Sequence, residues 1–524
     1  MSDMVIKLGM LIIFAVIMVA VGLYCRRHAN DVNSFVLGGR GVGPWLTAFA
    51  YGTSYFSAVI FVGYAGQFGW KYGIASTWIG LANALLGSYM AWVVLGRRTR
   101  VMTQHLDAAT MPQFFGSRFD SRALKVISSA IIFIFLIPYT ASLYNGLSRL
   151  FGMAFTIDYS VCVIIMAVLT AIYVIVGGYM ATAINDFIQG VIMLAGIILI
   201  IGAVLKTQGG FTASLDALAR VSDPQVSPTP GIFSSFFGPD PLNLFGVMLL
   251  TSLGTWGLPQ MVQKFYSIKS EQAINKGPVI STIFAVVVAG GCYFMGGFGR
   301  LFAAKVNPGQ PGFFDAIVPA MLSELPVTLI AVAIVLVFAA SMSTLASLVL
   351  ASSSTLALDF VKGSLKPSLS ERGQLRLMRL FIAVFIVISA VIAIYQYNSN
   401  VTFIAQLMGI SWGALAGAFL APFLYGLYWK RATKAACGVN FIFATAVMLA
   451  NMLCRPAFPK FLQSPINAGV FCMLGGMVLV PLVSLVTKHL DNAFVDRIFA
   501  CYNRTVTVTV KESIADGSVA VEKE

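Results

Sequence analysis

The chain has 524 residues, of which 58% are hydrophobic and only 10% charged, with a formal net charge of +14. Soluble domains usually carry about 25% charged residues, so this composition excludes an ordinary soluble enzyme and points to a polytopic membrane protein. About thirteen apolar stretches follow one another, each of roughly 20–30 residues and able to span a hydrocarbon core of about 30 Å. They centre near 5–25, 43–69, 73–96, 123–151, 158–179, 183–205, 242–264, 278–300, 326–358, 376–396, 401–428, 434–453 and 468–487.

The first stretch lacks a basic leader, and Arg26-Arg27 follows it directly, so it reads as a retained anchor helix rather than a signal peptide. The positive charge is a topology signal, not a nucleic-acid footprint. Lys and Arg are dense in 26–40, 97–125, 264–276, 362–379 and 430–434 and sparse in the alternate loops. Roughly twenty fall in the first set against about eight in the second, which predicts an outside N-terminus and a cytoplasmic C-terminus. An odd number of spans requires the same arrangement.

The second stretch carries Gly52, Ser54, Ser57 and Gly63 near its middle, and the seventh carries Gly254, Gly257 and Pro259. Broken helices in a membrane occur where they line a cavity or an ion, and matching breaks in two halves point to an inverted-repeat transporter. Glycine is also common in membrane helices for close packing. On this reading 1–42 is an anchor helix and loop, 43–206 the first five-helix repeat and 207–241 an external loop. The second repeat occupies 242–428, two further helices 429–487, and a disordered cytoplasmic tail 488–524. The proline-rich 207–241 loop is expected either to cover the solute entrance or to be a loose connector.

In the run Ala339-Ala340-Ser341-Met342-Ser343-Thr344, the hydroxyls of Ser343 and Thr344 share the helix face of the Ala340 carbonyl. An uncharged oxygen cluster at mid-membrane suits a small hard cation such as sodium. The alternative is that both hydroxyls bond back to the preceding turn. Asp186, near the end of a span, is costly to place in lipid and is either a station for an ion leaving inward or a helix cap with Asn185.

Four stretches together resemble the sodium:solute symporter family. They are Phe35-Val36-Leu37-Gly38-Gly39-Arg40 with Gly43-Pro44-Trp45; Gly177-Gly178-Tyr179-Met180-Ala181 with Asn185-Asp186 and Gln189-Gly190; Gly257-Leu258-Pro259-Gln260 with Lys264-Phe265; and the Ala340 to Thr344 run. The resemblance implies an all-α, LeuT-like 5+5 inverted repeat with one extra N-terminal and two extra C-terminal helices. It also implies sodium bound by backbone carbonyls of Thr53, Phe56 and Ala340 and the hydroxyls of Ser343 and Thr344. Tyr55, Ser57, Tyr139, Thr140, Trp256, Gln260 and Trp412 would line the solute cavity, and Arg40 and Asp186 would act in gating and ion exit. The resemblance is to the pantothenate- and proline-type bacterial members; proline carriers have an aspartate where this chain has Tyr55, which favours the pantothenate type, and the solute is expected to be carboxylate-bearing, such as pantothenate, a monocarboxylate or an amino acid such as proline.

The expected function is sodium-coupled symport of a small organic solute by alternating access, with a proton-coupled symporter on the same fold as the alternative. Sodium is the coupling ion, no other cofactor is expected, and the partners are solute, sodium and lipid, without nucleic acid or an obligate protein. The setting is a plasma membrane, leaning to a bacterial inner membrane. His28, His105 and His489 lie far apart, and no nucleophile or metal set of an enzyme is present. No P-loop sequence occurs, which excludes an ATP-driven pump of that kind. The seven cysteines show no paired spacing and imply neither a disulfide frame nor a metal site.

Overall fold

The computed structural model describes residues 3–155, 158–310, 312–399 and 404–503. The elements that matter for function are helices. They begin with α1 (Asp3–Cys25), α2 (Pro44–Tyr55), α3 (Val59–His105), α4 (Arg122–Phe155) and α5 (Tyr159–Thr207). α6 (Pro241–Gly257), α7 (Pro259–Tyr266), α8 (Gly277–Gly296) and α9 (Val327–Leu365) follow. The chain finishes with α10 (Glu371–Ser399), α11 (Ile404–Tyr428), α12 (Lys434–Leu453), α13 (Pro465–Val486) and α14 (Asn492–Phe499).

Among the described residues ten continuous helices are long and apolar enough to cross a membrane, or eleven with the bent pair α6–α7 counted as one. That is fewer than the thirteen stretches expected. The physical reason lies in α3 and α5, which run 47 and 49 residues, far beyond the roughly 20 needed for one span. α5 is interrupted at Gly178 (φ 56°, ψ −150°) and α3 at Gly73 (φ 62°, ψ −142°), left-handed positions that glycine adopts without a Cβ clash.

Burial sorts the helices into an inner and an outer set. α1 turns one stripe inward, Phe14, Met18, Gly22 and Cys25, spaced three or four residues apart as one helix face requires. Phe14 meets Phe338 of α9 at 5.7 Å between ring centroids, while Ile12, Ile13 and Val16 stay exposed on the lipid side. α9 and α11 lie at the centre and are almost wholly buried, whereas α1 is mostly exposed.

The expected breaks are present and alike. α2 ends at Phe56 (φ −81°, ψ 124°), and α6 ends at Leu258 (φ −82°, ψ 122°), 46° from the axis of α7. Two extended residues with nearly equal dihedrals thus stand each within a membrane segment, as expected of interrupted helices. At the end of the bundle rich in Lys and Arg, the chain before α2 and the chain after α7 pair directly. Val42 N–H donates to Ser267 O (3.2 Å) and Lys269 N–H to Val42 O (3.0 Å).

The 207–241 segment packs as part of the fold. It holds a short helix, Phe211–Ala219, and Trp78 donates its indole N–H to Phe236 O (2.9 Å). Asp223 forms an ion pair with Arg300 at 2.9 Å. Beside it opens a cavity of about 780 Å³, lined by Lys71, Tyr72, Asp240, Asn243, Phe314 and Lys460 among others. The stretch expected as a disordered tail from 488 is folded in its first part. α14 buries Val495, Ile498 and Phe499, the apolar stripe of a short amphipathic helix, and Arg98 is sandwiched between Tyr428 (4.1 Å) and Tyr502 (4.6 Å). The remainder of the expected tail, 504–524, lies outside the described residues.

Candidate functional site

The break after α2 leaves backbone carbonyls without helical partners, and the middle of α9 supplies hydroxyls to them. Thr344 Oγ1 donates within reach of Thr53 O (3.2 Å), Phe56 O (3.1 Å) and Ala340 O (3.1 Å). Ser343 Oγ reaches Thr53 O (3.2 Å) and Ala340 O (3.0 Å). All five residues anticipated for sodium therefore converge on one point, and all are buried. Bonding back to the preceding turn also occurs, since Ala340 O accepts from both hydroxyls, yet the same hydroxyls cross to α2. Five neutral oxygens, with no nitrogen or sulfur among them, match what a hard monovalent cation takes as ligands.

α5 packs on this cluster through Gly190, where a Cβ would stand 2.4 Å from Phe49 Cδ1 and 3.1 Å from Thr53 Cγ2. Toward the basic end, one turn beyond Ser343, Ser347 Oγ bonds Ser54 Oγ (2.8 Å) and accepts from Lys264 Nζ (3.0 Å). Lys264 also pairs with Asp186 at 3.4 Å, both side chains being almost wholly buried. Asp186 is thus neither interfacial nor a helix cap with Asn185. It sits in the core, held by a cation from another helix. Lys264 was visible in the sequence, but only the fold turns it inward.

The anticipated solute-cavity residues separate into two groups. Tyr55, Tyr139 and Trp412 come together, with ring centroids of the two tyrosines 5.8 and 5.9 Å from that of Trp412. The hydroxyls of Ser57 and Tyr139, the Trp412 N–H and both amide atoms of Gln260 are buried without a well-formed hydrogen bond. Thr140 instead donates to Leu136 O (3.0 Å) on its own helix, and Trp256 Nε1 to Leu86 O (2.9 Å), so their polar atoms are committed to the scaffold. A threonine within a helix bonds back readily to the carbonyl one turn before it, and an indole has a single donor to spend.

Sequence reasoning missed Asn83. Its amide donates to Tyr55 OH, and its Oδ1 accepts from Thr251 and Ser252, each at 2.9 Å. A lone amide in an otherwise apolar span was the available signal. This polar cluster ties α3 to α6 and adjoins a small void of about 10 Å³ beside Tyr51, Tyr55 and Thr255.

Arg40 lies at the basic end. It donates to Ala108 O (2.8 Å), Tyr266 O (3.3 Å) and Thr103 O (3.4 Å), joining the chain before α2, the end of α7 and the loop after α3. Gln263 adds a bond to Val36 O (3.1 Å). At the opposite end, the short helix Phe314–Leu322 buries Asp315 against α3 and the start of α11, where its carboxylate accepts from Ile404 N–H at 3.5 Å. Burial pushes the Asp315 carboxyl up to about 7, and nearby Arg149 opposes the rise.

The comparisons with known proteins agree with this architecture. The model of the sodium:solute symporter family matches residues 35–438. The osmoregulated proline transporter OpuE of Bacillus subtilis is 28% identical over 492 residues, covering 93% of this chain and 95% of that protein. A sodium/proline symporter of Staphylococcus aureus is 30% identical over 451 residues, covering 84% of each. A solved sodium-coupled sialic acid symporter, substrate-bound and outward-open, aligns with a TM-score of 0.71 at 17% identity, over 93% of this chain and 99% of its own; it shares the fold. With the family model spanning most of the length and a 30% identical relative covering 84% of it, the chain belongs to the sodium:solute symporter family and is a multi-pass membrane transporter with sodium as its coupling ion, not an enzyme.

Proposed function

We propose that this protein takes up a small carboxylate-bearing solute, L-proline first among the candidates, using the sodium gradient. The observation that carries the sodium half is the convergence of Thr53, Phe56, Ala340, Ser343 and Thr344 on one point between α2 and α9. Sodium bound there bridges a broken helix to an intact one, so its binding free energy favours the arrangement in which the two are in contact. Solute in the Tyr55, Ser57, Tyr139, Gln260 and Trp412 cluster then favours the same arrangement, and the coupling is reciprocal.

Two proline transporters among the relatives support proline as the solute. Here Tyr55, whose hydroxyl accepts from Asn83, stands where proline carriers of the family have an aspartate, which leaves the recognition of an amino group to hydroxyls and aromatic faces. The domain limits at 43–206 and 242–428 follow the two breaks. The concentration of Lys and Arg supports a cytoplasmic basic end. Arg40 then acts as the inner gate and Asp186 as the station on the exit route.

The experiment is uptake into proteoliposomes with an imposed sodium, potassium or proton gradient. The solute panel is L-proline, pantothenate, a short monocarboxylate and sialic acid. Accumulation of labelled proline driven by sodium alone is the expected result. Accumulation driven by a proton gradient without sodium refutes the sodium site, and sodium-driven uptake of another solute but not proline refutes the solute assignment.

A further inference from the structure

The search for chemistry outside the sodium and solute clusters leads to one buried charge that neither uses. Lys264 is carried by α7, the half-helix after the second break, and its side chain is 2% exposed. Its ammonium donates to Ser347 Oγ at 3.0 Å and pairs with Asp186 Oδ2 at 3.4 Å, with the Tyr179 ring centroid at 5.1 Å. Ser54 Oγ lies 2.8 Å from Ser347 Oγ. Asp186 Oδ1 has no hydrogen-bond partner.

These atoms connect directly to the sodium cluster. Ser54 follows Thr53 in the chain, and Ser347 lies one helical turn past Ser343. The carboxylate of Asp186 and the hydroxyls of Ser54 and Ser347 therefore form an oxygen-rich locus adjoining the cluster, and it carries the negative charge that the cluster lacks. In this chain a covalently attached cation fills that locus. Burying an ammonium and a carboxylate for stability alone is a poor use of them, since well-packed apolar side chains of similar volume usually serve as well or better.

We propose that Lys264 is a tethered competitor of sodium: its ammonium neutralises Asp186 and thereby sets how tightly the neighbouring cluster holds the transported ion. With Lys264 seated on Asp186 the field at the cluster is close to balanced, and sodium binds weakly enough to leave. If the ammonium is withdrawn, Asp186 strengthens the hold on sodium; if the carboxylate is neutralised, the uncompensated ammonium repels it. The inference rests on the sodium site proposed above, and its distinctive consequence is that the two partners of one ion pair act on sodium affinity with opposite signs.

The test measures half-saturating sodium from the thermal stability and tryptophan fluorescence of the purified full-length protein, with sodium chloride titrated against potassium chloride at constant ionic strength. Lys264→Gln keeps hydrogen-bonding capacity and removes the charge; it is expected to lower half-saturating sodium roughly tenfold, while Asp186→Asn raises it by roughly as much. The double variant is expected to return within about threefold of the parent, as compensation of charge requires, and Lys264→Arg to stay near the parent. Shifts of the same sign in both single variants, or no shift in either, overturn the proposal, because a merely structural ion pair weakens binding from both sides. Should Lys264→Gln fail to fold, the double variant is compared with Asp186→Asn, and a half-saturation no lower than in that single variant overturns the proposal. The absence of any sodium response in the parent, in contrast, refutes the underlying sodium site.

Discussion

Removing the Thr344 hydroxyl is the sharpest perturbation of the sodium cluster. That one oxygen lies 3.1–3.2 Å from three carbonyls, two on the broken helix and one on its own, whereas Ser343 reaches two. Hydrogen bonds and dipolar contacts to a charged group contribute about 1.5–3 kcal/mol each. Losing one ion ligand should therefore raise half-saturating sodium by roughly ten- to a hundredfold. Thr344→Ala is expected at the upper end, because Phe56 O and Thr53 O both lose the Thr344 hydroxyl, and Ser343→Ala at the lower end. Thr344→Ser keeps the oxygen and should stay within about threefold of the parent, while giving up a methyl that packs in the core. The assay is initial-rate uptake as a function of sodium at fixed membrane potential, paired with sodium-dependent thermal stability to separate binding from turnover. A Thr344→Ala protein that folds, transports and keeps the parental sodium dependence would refute the assignment of these oxygens to the coupling ion.

Arg40→Ala removes three carbonyl contacts that hold the basic end together and should loosen it by about 1–3 kcal/mol. Labelling of a cysteine placed at Ser347 by a thiol reagent applied from the basic side should accelerate in that background; unchanged labelling argues against a gating role. Gly190→Ala forces a Cβ to 2.4 Å from the Phe49 ring, so α5 or that ring must shift beside Thr53. Overpacking of this kind costs about 1–3 kcal/mol, visible as a lower Tm and a higher half-saturating sodium. Asp315 provides a pH test. Its carboxyl is raised from 3.8 to about 7 by burial under the short helix Phe314–Leu322. Being raised, it lends the packing of this helix full stability below pH 4, loses that contribution as the pH climbs from 4 through 7, and changes little beyond. Protection of the Ile404 amide, measured relative to the intrinsic exchange rate at each pH, should fall over that window, and Asp315→Asn should abolish the fall; pH-independent protection in the parent contradicts the reading.

The amino-acid sequence by itself determined the class of molecule, the sites of the two helix breaks and the grouping of Ala340, Ser343 and Thr344 on one face of α9; Thr53 and Phe56 were implied by the family resemblance. Each is a local property: hydropathy over a span, small residues and proline where a helix must open, and hydroxyls three and four residues from a carbonyl. What the sequence left open is decided by side chains meeting across the bundle. Asp186 could be an interfacial cap or a buried acid until the fold placed Lys264 of α7 against it, 78 residues away in sequence. Thr140 and Trp256 are typical cavity residues by type, yet carbonyls of Leu136 and Leu86 occupy their polar atoms. Asn83 was passed over because one amide in an apolar run has no period to betray it; only the approach of Tyr55, Thr251 and Ser252 gives it partners. In a membrane interior every polar group must find a partner within the protein, so which partner it finds depends on helix packing, and that is a property of the tertiary structure alone.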